Sequence, residues 1–367
     1  MDKQVITQLE QVTVEWLTAV LSQSSALTTG KVTHFEANSG GGHWSQNARL
    51  TLTYSSDAQG ECPTNLFLKL VDTNTGDGTF FLPSEVTYYT RDYIDLPDAP
   101  LVRCYDGAFD AAQNWYHLLL HDMSETHLAA FDLQPTPTHG QALAEALAIL
   151  HAHWWGNERL QQIGASFHNT AHIRRFVEIG SPGIPHVQAV FGDRLKPHWF
   201  ELIQQLFFEL PDSLATRAQD TTHFTLLHGD PNPGNMLVPK VGERPLRQAQ
   251  CRPLYLIDQQ PFDWSLTTWL GAFDLAYVMA LYWQTELRRK LELPVLRHYH
   301  QTLMARGVQD YAWEQLYNDY RLSVALMVPI AVEYMRDGGD PDWNEFRYGM
   351  VQRSLTACDD LDCRQLL

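Results

Sequence analysis

The chain has 367 residues, 44% of them hydrophobic, enough to supply two cores. Its 43 acidic against 26 basic residues give a formal net charge of -17, which argues against nucleic acid or an anionic membrane as partner, since both present phosphate that such a surface repels. No run reaches the ~18 apolar residues of a membrane span and Met1-Asp2-Lys3-Gln4 opens no signal peptide, so a cytoplasmic protein is expected, its five scattered cysteines reduced in preference to a Cys358–Cys363 disulfide.

The first elements are extended. Lys31 to Ala37 alternates and Asn47 to Tyr54 is strand-like, with Ser39-Gly40-Gly41-Gly42-His43-Trp44-Ser45 as the hairpin turn between them. Glycine lets backbone N–H groups approach an anion, so Gly40, Gly41 and Gly42 are candidates to close over phosphate; an ordinary flexible hairpin has the same composition. Asn65 to Val71 is an apolar strand with one cation, Lys69, in its middle. A lysine there costs free energy unless its ammonium reaches a partner, the alternative being a solvent-facing position. Pro83-Ser84-Glu85 has the look of a helix start, Ser84 as N-cap and Glu85 in the first turn, where negative charge complements the dipole. Leu101 to Asp106 and Trp115 to Leu120 read as further strands, completing an antiparallel sheet of about five.

Beyond this point the periodicity turns helical. Gly140 to Trp155 carries Leu143, Leu147, Leu150, His151 and Trp154 at three-and-four spacing, the mark of an amphipathic helix. His151 and His153 point apart on a helix and make a poor zinc pair, so packing or a buried hydrogen bond is expected of them. Then comes His228-Gly229-Asp230-Pro231-Asn232-Pro233-Gly234-Asn235, followed by the apolar Met236-Leu237-Val238 and, after an Arg-, Gln- and Pro-rich insertion from Pro239 to Pro253, by Leu256-Ile257-Asp258. A carboxylate, an amide oxygen five residues later and a second carboxylate ending an apolar strand suit phosphoryl transfer, which needs a proton acceptor for the incoming alcohol and oxygen ligands for a divalent metal. Asp230 is the candidate base; Asn235 and Asp258 are the candidate magnesium ligands. Pro231, Pro233 and Gly234 supply the bend that lets groups five apart converge. Trp269 to Tyr277 and Tyr317 to Met335 read as further helices.

These residues resemble the aminoglycoside phosphotransferase and choline kinase family, small-molecule kinases with a protein-kinase-like fold. The resemblance runs from the glycine turn to Tyr277. It implies a bilobal α+β fold, with residues 1–120 as an ATP-binding lobe around an antiparallel sheet and residues 121–367 as a mainly helical catalytic and substrate lobe. It also implies ATP and Mg2+ as cofactors, Lys69 on the α- and β-phosphates with Glu85 as its partner, and a hinge at His121-Asp122-Met123-Ser124 whose backbone reads the adenine edge. Asp274 resembles the aspartate that ties the catalytic loop to the helix beneath it, although a capping carboxylate looks the same. Two departures stand out: the family often has His at the place of Asn232 and an aromatic at the place of Gln259.

The expected activity is transfer of the γ-phosphoryl group of ATP to a hydroxyl of a small molecule. The acidic balance is compatible with a cationic acceptor, for which Asp263, Trp264, Trp269, Tyr282, Trp283, Glu333, Tyr334 and Asp337 are candidate walls. A nucleotide-binding regulator of the same fold without transfer remains an alternative, motivated by the two departures. Protein kinase activity fits poorly, because no activation segment closes in Ala-Pro-Glu and Asp258 is not followed by Phe-Gly.

Overall fold

The computed structural model describes residues 4–41, 45–74, 81–163, 167–240, 253–338 and 340–367. It divides into two compact units, the first taking Met1–Leu128, Leu237–Cys251 and Tyr255–Asp263, the second Ala129–Met236, Arg252–Leu254 and Trp264–Leu367.

The first unit is an antiparallel sheet with one helix on its inner face. Strands β1 (Val32–Gly41), β2 (Gln46–Tyr54), β3 (Asn65–Asp72), β4 (Cys104–Asp110) and β5 (Trp115–His121) lie in the order β1-β2-β3-β5-β4. Helix α1 (Val14–Gln23) starts at Thr13, whose side chain accepts the Trp16 N–H, and it turns Leu17, Val20 and Leu21 inward. They join Leu50, Leu66, Leu68 and Leu70 in one core cluster, because alternate strand residues face the same side. The strand expected from Leu101 begins at Cys104.

A small second sheet, in the order β8-β7-β6, pairs β6 (His127–Ala129), β7 (Met236–Pro239) and β8 (Tyr255–Leu256). This pairing draws the residues around β7 and β8 into the first unit, whereas a division at residue 120 assigns them to the second. Asp258 stands two residues past β8 instead of at a strand end.

Most of the second unit is helical. Thr136 caps α2 (Pro137–His153), accepting the His139 N–H. With α3 (Ala272–Leu281), α4 (Thr285–Ala305), α5 (Trp313–Glu333) and α6 (Asn344–Asp360) it forms the frame. Every residue of α3 is buried, as befits a helix that is apolar all round. That helix begins at Ala272 and not at Trp269, since Thr268–Leu270 is a strand paired with Phe224–Leu226. No helix among the described residues is long and apolar enough to cross a membrane.

Candidate active site

One cluster of charge belongs to the first unit. Leu66, Leu68 and Leu70 of β3 go into the core, so Lys69 lies on the opposite face, in register with Asn47 and Leu118 of the flanking strands. Its Nζ donates to both carboxylate oxygens of Glu85, each at 2.9 Å, and to Oδ1 of Asp258 at 2.8 Å. Glu85 is 1% exposed and accepts a further bond of 2.7 Å from the Tyr116 hydroxyl. Burial alone pushes a lysine pKa down; the Glu85 and Asp258 carboxylates outweigh it and hold Lys69 above its ordinary value. Burial lifts the Glu85 carboxyl above the usual range, with the ammonium pulling it back.

Asp258 has φ 57 and a side chain 45% exposed. That backbone region is costly for any residue with a Cβ and persists where the surroundings impose it. The surroundings here are the residues flanking Glu85. Ser84 Oγ donates to the Gln260 carbonyl at 3.2 Å, the Leu82 N–H donates to the Pro261 carbonyl at 2.7 Å, and the rings of Phe81 and Phe262 meet edge to face at 5.1 Å. Ser84 is therefore not the N-cap, a position that Pro83 takes.

The glycine turn differs from expectation. Gly40 and Gly41 belong to β1 itself, paired with Asn47 and Gln46, and a Cβ on either would meet open space. Gly42 lies outside the described residues. At the expected hinge, the His121 N–H donates to the Arg103 carbonyl at 2.8 Å and its Nδ1 is 3.1 Å from the Tyr105 hydroxyl. The Met123 carbonyl accepts the N–H groups of Thr126 and His127, at 3.1 and 2.8 Å. These groups thus have partners within the unit.

The second unit holds the loop from His228 to Asn235. Asp274, wholly buried in the first turn of α3, accepts the N–H of His228 at 2.8 Å on one oxygen and that of Gly229 at 2.9 Å on the other. His151 lies against the same carboxylate, Nε2 to Oδ2 at 3.1 Å, with its Nδ1 2.8 Å from the Tyr299 hydroxyl. So the buried histidine of α2 serves to orient the aspartate that pins the loop. Gly229 has φ 82, where a side chain would be strained. Beyond it the chain curls as the spacing requires. Asn235 Nδ2 donates to the Asp230 carbonyl at 2.9 Å and to its Oδ2 at 3.2 Å, while Asn232 Nδ2 donates to Asp230 Oδ1 at 2.9 Å. Asn232 Oδ1 accepts the Gly234 N–H at 2.8 Å and so caps the turn Pro233–Asn235. Asp230 and Asn235 therefore meet, and Asn232 joins them as a donor.

Of the tyrosines around Asp230, Tyr282 and Tyr334 are among the expected walls, and Tyr277 is the one that sequence reasoning missed. Tyr277 and Tyr334 touch through their hydroxyls at 3.4 Å. Burial followed by the nearby Asp230 carboxylate pushes Tyr334 up to about 12, and both influences raise Tyr277 and Tyr282. A cavity of about 190 Å³ opens in this unit, with Pro233 and Met236 on one wall and Tyr282, Trp283 and Phe346 on another. Trp269 is not a wall: it is fully buried and packs on Phe224, ring centres 4.8 Å apart. Glu333 is paired with Arg336 at 3.4 Å.

This sheet-and-helix architecture defines a class by its fold, the protein-kinase-like fold. The chain belongs to the ecdysteroid kinase-like family, whose model matches residues 103–308, more than half of it. That stretch contains Asp230, Asn235, Asp258 and Asp274. Among solved structures, a spectinomycin phosphotransferase in complex with ADP and spectinomycin aligns at 11% identity with a TM-score of 0.53, covering 96% of this chain and 99% of that one. A choline kinase from Cryptosporidium parvum aligns at 12% identity and TM-score 0.52, covering 91% and 92%. An ethanolamine kinase from Plasmodium vivax gives 14% identity and TM-score 0.52, covering 91% and 84%. These likenesses concern the fold. No curated protein sequence is matched by the chain.

Proposed function

We propose that the chain transfers the γ-phosphoryl group of ATP to a hydroxyl of a small molecule. The observation that carries the proposal is the meeting of two carboxylates from separate parts of the sequence, Glu85 and Asp258, within 2.9 Å of the Lys69 ammonium. A purely structural ion pair has no need of a second, half-exposed carboxylate held at φ 57.

In this reading Lys69 is fixed by Glu85 and binds the nucleotide phosphates, and Asp230 receives the alcohol proton. The alcohol oxygen forms its bond to the γ-phosphorus as the bond to the β-phosphate oxygen breaks, and ADP leaves. Asn235 commits its amide nitrogen to Asp230, so metal binding falls to its amide oxygen, alongside the Asp258 carboxylate. These oxygen donors fit magnesium, which supplies neutralisation of phosphate charge when bound. The N–H donated to Asp230 by Asn232 holds the carboxylate in one rotamer, which argues against the regulator reading that the absence of His at this place suggests. The solved relatives named as a phosphotransferase with ADP and as choline and ethanolamine kinases support the same reaction type.

Magnesium-dependent ADP release, measured over a panel of small alcohols, tests the proposal. Release that depends on one acceptor and disappears in Asp230→Asn is expected; nucleotide binding with no release on any acceptor would leave only the regulator.

A further inference from the structure

The cavity beside the loop is lined by two side chains, Arg353 and His139, with polar atoms that neither the fold nor the proposed transfer uses. Arg353 of α6 donates from Nε to the Leu281 carbonyl at 2.6 Å, the ordinary service of a cation at a helix C-terminus. Its two terminal nitrogens have no partner among the described residues, and no carboxylate pairs with it there. The guanidinium lies over Gly349, where a Cβ would stand 2.7 Å from Nη1, so a glycine inside the helix leaves the room it occupies. Burial holds the arginine pKa down at about 10, the cost of a desolvated cation without a counter-ion. The second group is His139, also a lining residue, whose Nε2 is buried without a hydrogen-bond partner. Buried polar groups in native proteins are mostly answered by protein, water or a ligand, and these two line the same cavity.

Apart from Gln284, the remaining lining is apolar or aromatic, and it includes neither Asp nor Glu. The lining residue Phe131 is 50% exposed, and it and Trp343, 53% exposed, flank the lining residue Phe346 at ring-centre distances of 6.1 and 5.9 Å. Tyr282 lies within electrostatic reach of both Asp230 and Arg353. The volume of about 190 Å³ exceeds the ~150 Å³ that accommodates benzene, so a substituted ring fits.

We propose that this cavity takes an alcohol whose apolar body carries a carboxylate, and that Arg353 is the specificity-determining residue that grips the carboxylate. The proposal rests on Asp230 as the group that accepts the hydroxyl proton. It departs from a cationic acceptor, because a cation in this cavity meets a guanidinium and no carboxylate.

The test uses the full chain with a nonhydrolysable ATP analogue and three probes that share one ring and one alcohol: 4-(hydroxymethyl)benzoate, 4-(hydroxymethyl)benzamide and 4-(hydroxymethyl)-N,N,N-trimethylanilinium. In calorimetric titration the benzoate is expected to bind roughly tenfold tighter than the amide or more, the gain of a charge-assisted forked contact, and the trimethylanilinium weakest. Arg353→Gln should remove that order and Arg353→Lys should keep part of it, while Asp230→Asn should preserve the order and lose transfer. Equal or tighter binding of the amide or the cation to the unaltered protein, binding of none of the three, or an unchanged order in Arg353→Gln would overturn the proposal. Should Arg353→Gln fail to fold, the order in the unaltered protein and in Arg353→Lys decides. If the benzoate binds in the expected order yet no phosphoryl group moves with ATP, transfer fails and the carboxylate site stands.

Discussion

Both carboxylate oxygens of Glu85 lie 2.9 Å from the Nζ of Lys69, a symmetric clamp in which neither oxygen is spare. Removing Glu85 leaves the buried Lys69 with Asp258 as its remaining counter-charge, so the loss should approach, as an upper bound, the ~3–5 kcal/mol of a broken buried pair. Glu85→Gln is therefore expected to lower unfolding free energy in urea by that order and to weaken ATP binding. The double replacement Lys69→Met with Glu85→Leu should recover much of the stability and none of the nucleotide affinity. Denaturation and nucleotide titration on the same samples check this.

Asp230→Asn keeps the size of the side chain and removes its basicity. A positioned base contributes roughly 10²- to 10⁴-fold, so kcat should fall by that factor once an acceptor is known. Affinity for ATP should change little, because the Lys69 cluster is untouched. Steady-state kinetics with a fluorescent nucleotide titration separates the two effects.

Asp274 acts through the backbone. An asparagine there has one accepting oxygen for the two N–H groups of His228 and Gly229, and its amide hydrogens would face a donor. One unsatisfied buried N–H costs about 1–3 kcal/mol. Asp274→Asn should thus lose stability by that amount and lower kcat by displacing Asp230, and Asp274→Ala should lose more of both. Thermal unfolding and turnover measured together test the linkage.

His168 predicts an acid sensitivity. Its Nε2 accepts the Thr267 N–H at 2.9 Å, and the Thr267 carbonyl accepts the Leu227 N–H just before the loop. Burial, helped by the ring of His172 stacked at 4.2 Å, pushes His168 down to about 3 from 6.5. The unfolded chain then binds a proton that the folded one refuses, so stability falls as pH drops from 6.5 towards 3, by at most about 1.4 kcal/mol per pH unit. His168→Gln, which can still accept the N–H, should flatten that acid limb in urea unfolding curves.

Features governed by local chemistry were legible in the sequence. Lys69 in an apolar strand called for either a partner or a solvent-facing position, and prolines and glycine between Asp230 and Asn235 for a bend; the structure has the partner and the bend. The sheet was legible because its strands alternate. What was missed depends on distant partners. Helix α1 carries its apolar stripe in only ten residues, and its burial comes from strands that follow it. Trp269 reads as an aromatic wall until Phe224 pairs beside it. Arg353, 72 residues from the carbonyl it caps, has no local pattern to announce it. The left-handed turn at Asp258 is followed by Gln260 and Pro261, whose partners Ser84 and Leu82 lie far back along the chain.

Those last contacts have a dynamic consequence. Ser84 with Gln260, Leu82 with Pro261 and Phe81 with Phe262 stitch two chain segments side by side, one bearing Glu85 and the other Asp258. Amide protons along both segments should exchange with deuterium as a single cooperative block, so that whatever frees one carboxylate frees the other, and Lys69 gains or loses its two anions together.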